Sequence, residues 1–127
     1  MIAVDTSALM AVAQGEPLGP ACFAAIKSDG EAIISAGTMA EALIVALRRG
    51  IQGQMDALIQ DLALDVIPVT RASSLRAGNA YARWGRGVNP ASLNFGDCFA
   101  YELAERYACP LLYIGDDFAK TDVASAL

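Results

Sequence analysis

A chain of 127 residues suits one compact domain spanning 1–127 around a single core. Hydrophobic residues make up 55% and charged ones 18%, a composition that excludes disorder, and no apolar run reaches the roughly 18 residues of a membrane span. Net charge is −5, from nine basic and 14 acidic residues, which argues against holding nucleic acid by bulk electrostatics but not against a nuclease whose acids bind cations.

The opening "MIAV" is a short apolar run ending at Asp5 and predicts a buried strand. It has no basic segment ahead of it and carries an acid inside it, so no signal peptide is expected and the chain is read as cytoplasmic. "TSALMAVAQ" follows helical periodicity to Gly15, and Pro17 and Pro20 open a second helical piece through Ile26, stopped by "SDG". "AIIS" (32–35) predicts a second strand. "GTMAEALIVALRRG" predicts a strong helix with Gly50 past its end, followed by a helix over "QMDALIQDLAL". "DVIPV" (65–69) predicts a third strand, ended or confined to an edge by Pro68. Thr70 is placed to cap a helix running to about Trp84. After the loop "GRGVNPAS" a helix is expected from about Gly96 to Tyr107, and "PLLYI" (110–114) is a fourth strand. "GDDFAKTD" predicts a turn with one helical turn, and the tail adds a short fifth strand. Alternating strands and helices imply a parallel sheet covered on both faces, with ligands beyond the carboxyl ends of its strands.

No histidine is present, so Ser-His-Asp, Cys-His and histidine-bound metal chemistry are excluded. Cys22, Cys98 and Cys109 are odd in number and widely spaced, as expected of small buried hydrophobes in a reducing compartment. Any hydrolytic chemistry must then run on carboxylates, hydroxyls, amides or Lys/Arg. Asp56, Asp61, Glu102 and Glu105 are expected on solvent faces, with Glu102 paired to Arg106 one turn on. Glu16, Asp29, Glu31 and Asp65 fall at turns or strand edges. Asp5, Glu41, Asp97 and the pair Asp116–Asp117 remain, each at the end of a core element. Asp5 and Asp97 also suit helix capping, and Asp116–Asp117 suit a turn. Brought together, such acids would repel and raise one another's pKa unless a hard cation neutralised them. That ion would serve to deprotonate water and to stabilise a phosphodiester under attack. Asp5 and Asp117 share an edge only if the first and fourth strands are neighbours.

"MIAVDTSAL", "AEALIVA", "LNFGDCFAYELA" and "LLYIGDDFAKTDV", in this order, resemble the PIN-domain ribonucleases, and among them the VapC toxins of type II toxin–antitoxin pairs. The resemblance covers essentially the whole chain. It implies a Rossmann-like, five-stranded parallel sheet with helices on both faces, and RNA cleavage that depends on Mg²⁺, with Mn²⁺ able to substitute. It also implies a homodimer, a transfer or ribosomal RNA substrate, and neutralisation by a cognate VapB antitoxin. Matched position by position, the acidic quartet falls on Asp5, Glu41, Asp97 and Asp117, as catalytic residues and metal ligands. Thr6, Ser7, Asn94 and Asp116 match supporting positions. Relatives often carry histidine where this chain has Asn89.

Arg48 and Arg49, with Arg83 and Arg86, would form basic rims for a phosphate backbone, or simply solubilise helix ends. Tyr81 and Trp84 would stack on a base or pack internally. Met10, Met39 and Met55 read as core or interface filler, and a dimer face is placed on the first helices, about 7–26. Two rivals differ in class. A receiver-like signalling domain needs a phosphate-accepting Asp after a middle strand, which "VIPVT" does not offer. A catalytically inactive PIN-like RNA- or protein-binding module would share the fold without turnover.

Overall fold

The computed structural model describes residues 1–28 and 30–127; Asp29, expected in a turn, lies outside the described residues. Strands β1 (Ile2–Val4), β2 (Ala32–Ser35), β3 (Asp65–Ile67) and β4 (Leu111–Leu112) form one parallel sheet in the order β3-β2-β1-β4. The helices are α1 (Thr6–Ala13), α2 (Gly19–Ser28), α3 (Ala36–Arg48), α4 (Gln52–Leu62), α5 (Arg71–Trp84) and α6 (Phe95–Arg106), with a 3-10 turn at Phe118–Lys120.

The period of two along a strand sorts the core into two layers. Ile2 and Val4 of β1 pack with Ile34 and Leu112 against α1, α2, α3 and α4. Ala3, Ile33 and Leu111 face the other way, against α5 and α6. Both faces are covered, so β1 is apolar throughout rather than alternating. Met10 and Met55 lie in the first layer and Met39 packs against it, as core filler.

The strands are shorter than expected for local reasons. Pro68 has no N–H to continue the ladder, so β3 stops at Ile67. Beyond β4, the Ile114 N–H donates to Ser7 Oγ at 3.0 Å, so a side chain ends the ladder. The expected fifth strand is reduced to a single bridge, Ser125 to Leu111, flanked by Leu111 N–H to Ala124 O at 2.8 Å and Ala126 N–H to Leu111 O at 3.0 Å. Among the described residues, four strands therefore stand where five were expected. Thr70 caps α5 as anticipated, in a reciprocal box with Ser73.

Glu102 corrects the expectation of a solvent-facing acid. It is 2% exposed and accepts from Arg76 Nε at 2.7 Å, not from Arg106, which lies over the Tyr107 ring. The physical reason is that α6 packs on the sheet and against α5, leaving little of its circumference free. Asp56, Asp61 and Glu105 are exposed as expected. The first helices turn Leu9, Met10, Cys22 and Ile26 into the core, leaving Leu18 exposed. The larger exposed apolar surface lies on α3, at Leu43, Ile44 and Leu47, and at Phe95.

Candidate metal-dependent active site

Chain order runs from β1 to β2 on one side and returns to β4 on the other, so the strand order switches between β1 and β4. Crevices of α/β sheets open at such points, beyond the carboxyl ends of the strands. Asp5 follows β1 there and caps α1. Its Oδ2 accepts from the Ser7 N–H at 3.0 Å and from Ser7 Oγ at 2.6 Å. Because Ser7 Oγ also accepts from Ile114 N–H, Ser7 fastens the end of β1 to the end of β4. Asp5 is 3% exposed, and its Oδ1 is buried with no hydrogen-bond partner. Burial raises its pKa above the ordinary value; the Ser7 hydroxyl and N–H oppose that, and the neighbouring Glu41 adds to it.

Glu41 reaches this end from α3, in a surrounding otherwise rich in apolar residues. Its Oε1 accepts from Thr6 Oγ1 at 2.7 Å, and its Oε2 lies against Gly96 of α6. Asp97 is the third residue of α6, whose N-cap is Asn94. The two close a capping box: Asn94 Oδ1 accepts from Asp97 N–H and Asp97 Oδ2 from Asn94 N–H, both at 2.9 Å. Capping therefore occupies one oxygen of Asp97 and is compatible with a second role for the other. Its pKa is pushed up to about 6 by burial, against the Asn94 N–H bond, with further repulsion from Asp5, Glu41 and Asp117.

A cavity of about 300 Å³ brings Asp5, Thr6, Ser7, Glu41, Asn94 and Asp97 onto one surface. Asp116 and Asp117 do not line it; both are exposed on the turn after Gly115, and Asp117 reaches the cleft through its charge on Asp97. Glu16 and Arg49 also line the cavity, with Arg49 Nη1 donating to Gln14 Oε1 at 2.7 Å. Of the two roles open to Arg49 from the sequence, a basic rim or a solubilising helix end, its place on the cavity suits the first. Glu16 was assigned to a turn, because nothing in its local sequence shows that the loop after α1 folds back over the site.

Arg48 lines an adjoining hollow that shares Glu41 and Val45 with the cleft, and the rim candidates Arg83 and Arg86 lie elsewhere. Arg83 pairs with Asp122 at 3.1 Å and stacks over Trp84, 4.7 Å from its ring centroid. Trp84 in turn packs against Tyr101, the internal role among those considered. Tyr81 and Arg86 line a larger apolar groove of about 670 Å³ between α5 and α6, which touches the acidic cleft only at Asn94. Size alone would favour that groove, but the titratable oxygens are in the smaller one. Asn89 Oδ1 accepts from Ala91 N–H at 2.9 Å, a bond within its own loop.

Among the described residues, no group of three or more Cys, Asp or Glu side chains stands arranged to hold a metal ion together. The donor set nonetheless fits a hard cation. Mg²⁺ binds through one or two carboxylates and retains several waters, so it does not need an all-protein cage. A buried carboxylate oxygen with no donor, at Asp5 Oδ1, is the kind of group that such an ion satisfies.

The PIN domain family model matches residues 2–124. Ribonuclease VapC30 of Mycobacterium tuberculosis is 37% identical over 125 residues, covering 96% of this chain and 95% of its own. Ribonuclease VapC36 of the same organism is 38% identical over 124 residues, covering 94% of this chain and 89% of its own. Among solved structures, M. tuberculosis VapC20, described as a sarcin–ricin loop cleaving toxin, superposes with a TM-score of 0.79 at 16% identity, covering 98% of this chain and 97% of that one. A toxin–antitoxin complex from Klebsiella pneumoniae superposes with a TM-score of 0.74 at 15% identity, covering 100% and 98%. The chain belongs to the PIN-domain family and, within it, to the VapC ribonucleases.

Proposed function

We propose that this protein is an endoribonuclease toxin of VapC type that hydrolyses RNA phosphodiester bonds with Mg²⁺, or Mn²⁺ in its place. The observation that carries the reading is the buried, unpartnered Asp5 Oδ1, in a cleft shared with Glu41 and Asp97. Asp5, Asp97, Glu41 and, from the turn, Asp117 would hold the ion, one or two of them directly and the others through its waters. When bound, it supplies a positive charge that acidifies water and stabilises the negative charge developing on the phosphoryl oxygens. Asp5 is fixed by Ser7 and Asp97 by Asn94, so neither carboxylate has to reorganise. Glu41, anchored through Oε1, orients the attacking water. The water oxygen bonds to phosphorus, the P–O bond to the leaving ribose oxygen breaks, the water's proton passes to a carboxylate, and the leaving oxygen takes a proton from solvent. Arg49, on the rim, offers a positive charge to the backbone phosphate.

The substrate would be a structured cellular RNA, transfer or ribosomal, and the partner an antitoxin of VapB type; a structural neighbour that cleaves the sarcin–ricin loop and another solved as a toxin–antitoxin complex support the ribosomal choice and the antitoxin. Both would be met in the cytoplasm. No helix among the described residues is long and apolar enough to cross a membrane. Leu43, Ile44 and Leu47 on one face of α3, with Phe95 beside them, support a homodimer through that face.

The test is incubation of the purified chain with total RNA in Mg²⁺ or Mn²⁺, with and without chelator, beside Asp97→Asn. Cleavage that chelator and substitution both abolish is expected. Cleavage that survives both overturns the metal-dependent reading. A chain that leaves RNA intact with either ion is the inactive binding module instead.

A further inference from the structure

We propose that Gly37 and Gly96 form a reciprocal notch between α3 and α6 that sets the position of Glu41, making Gly96 a positioning residue for the acidic cleft. The proposal deepens the nuclease reading and rests on it for its catalytic consequence.

Each glycine occupies the second position of its helix, after the N-caps Ser35 and Asn94. Neither has a positive φ, so backbone conformation does not demand glycine at either place. Space does. A Cβ on Gly37 would stand 2.7 Å from Cγ of Phe99 and 2.9 Å from both Cδ atoms. A Cβ on Gly96 would overlap Glu41 Oε2 and stand 2.8 Å from Oε1. The pairs run in opposite senses: Gly37 precedes Glu41 by one turn on α3, and Gly96 precedes Phe99 by one turn on α6. Each helix thus receives, at its glycine, the side chain that the facing helix carries one turn later. Of the other helical glycines, Gly53 and Gly78 have nothing within 4 Å of a built Cβ, and Gly19 would meet the backbone carbonyl of Ala11 at 2.5 Å, so only Gly37 and Gly96 are crowded by side chains of a facing helix.

The two obstacles differ in kind. Phe99 is a ring held edge-on by Phe95, with centroids 5.0 Å apart. The obstacle at Gly96 is the far end of a flexible side chain, which can swing away without moving the backbone. A methyl group there displaces the carboxylate and removes its bond from Thr6, while the helix remains intact. Alanine is also the better helix former, so loss of fold is not the expected outcome.

The test compares Gly96→Ala, Glu41→Asp and their double variant with the parent, using Gly53→Ala as a control in open space. Melting temperature in chelator should be unchanged or raised in Gly96→Ala. Its Mn²⁺ affinity, measured by calorimetry, and its RNA cleavage should both fall by about 10-fold, the lower end of losses seen when a group orienting a metal ligand is changed. Glu41→Asp withdraws the carboxylate from the notch, so adding Gly96→Ala to it should cost little more. Wild-type Mn²⁺ affinity in Gly96→Ala, or fully additive losses in the double variant, would overturn the proposal. If the parent itself neither binds Mn²⁺ nor cleaves RNA, the nuclease reading fails. The notch is then judged on a crystal structure of metal-free Gly96→Ala: loss of the Thr6–Glu41 bond supports it, and an unmoved Glu41 overturns it.

Discussion

Asp5→Asn separates the needs of the fold from the needs of the site. Asparagine caps a helix as well as aspartate, so the bond from the Ser7 N–H is kept and little capping energy is lost. What disappears is a negative charge at a residue 3% exposed, one of whose oxygens has no partner. An uncompensated buried charge costs several kcal/mol. Against that, the bonds from Ser7 weaken when their acceptor becomes neutral, by about 1 kcal/mol, and an unpaired amide replaces the unpaired oxygen. The net expectation is a metal-free protein stabilised by about 1–2 kcal/mol, or roughly 4–8 °C in Tm for a chain of this size. Ion binding reverses the order, because at 100-fold excess over Kd it adds about 2.7 kcal/mol to the parent and little to the variant. Thermal melts at pH 7.5 in chelator and in saturating Mn²⁺, with RNA cleavage measured alongside, test this. A variant that melts below the parent in chelator, or an equal Mn²⁺ gain in both proteins, refutes the reasoning.

The folded-state pKa of Asp97, about 6 against an ordinary 3.8, means that the folded protein binds more protons than the unfolded chain between those values. Melts without metal should therefore show Tm rising as pH falls through 6, with Asp5 acting in the same direction. Cleavage in Mn²⁺ should instead decline below about pH 6, as protons compete with the ion for Asp97. Arg76→Ala leaves Glu102 buried and unpaired, and should cost about 2–3 kcal/mol in urea unfolding, since the Arg76 side chain is 35% exposed and water can enter. Cleavage by the protein that remains folded should be unchanged, because neither residue lines the acidic cleft. Ile44→Glu, at a position 58% exposed, should leave the melt nearly unchanged and, if the proposed homodimer forms through α3, lower the mass in light scattering from dimer to monomer. An unchanged mass would place the dimer contact elsewhere.

Element type and order were legible because they rest on local physics. Apolar runs bounded by Asp5 and Gly30, the Thr70 cap and the Gly50 stop each act within a few residues. The acids at element ends could be marked as candidates for the same reason, and the four sequence blocks carried the family. Strand order was not legible. That β1 lies between β2 and β4 brings Asp5 beside the turn of Asp117, and no local pattern encodes which strands pair. The burial of Glu102, the approach of Glu16 to the cleft and the contact of Gly96 with Glu41 arise between residues far apart in the chain. Periodicity identifies which face of a helix is apolar. It cannot tell how many neighbours that helix will have, and α6, enclosed by the sheet, α3 and α5, buries an acid that a single apolar stripe would leave in water.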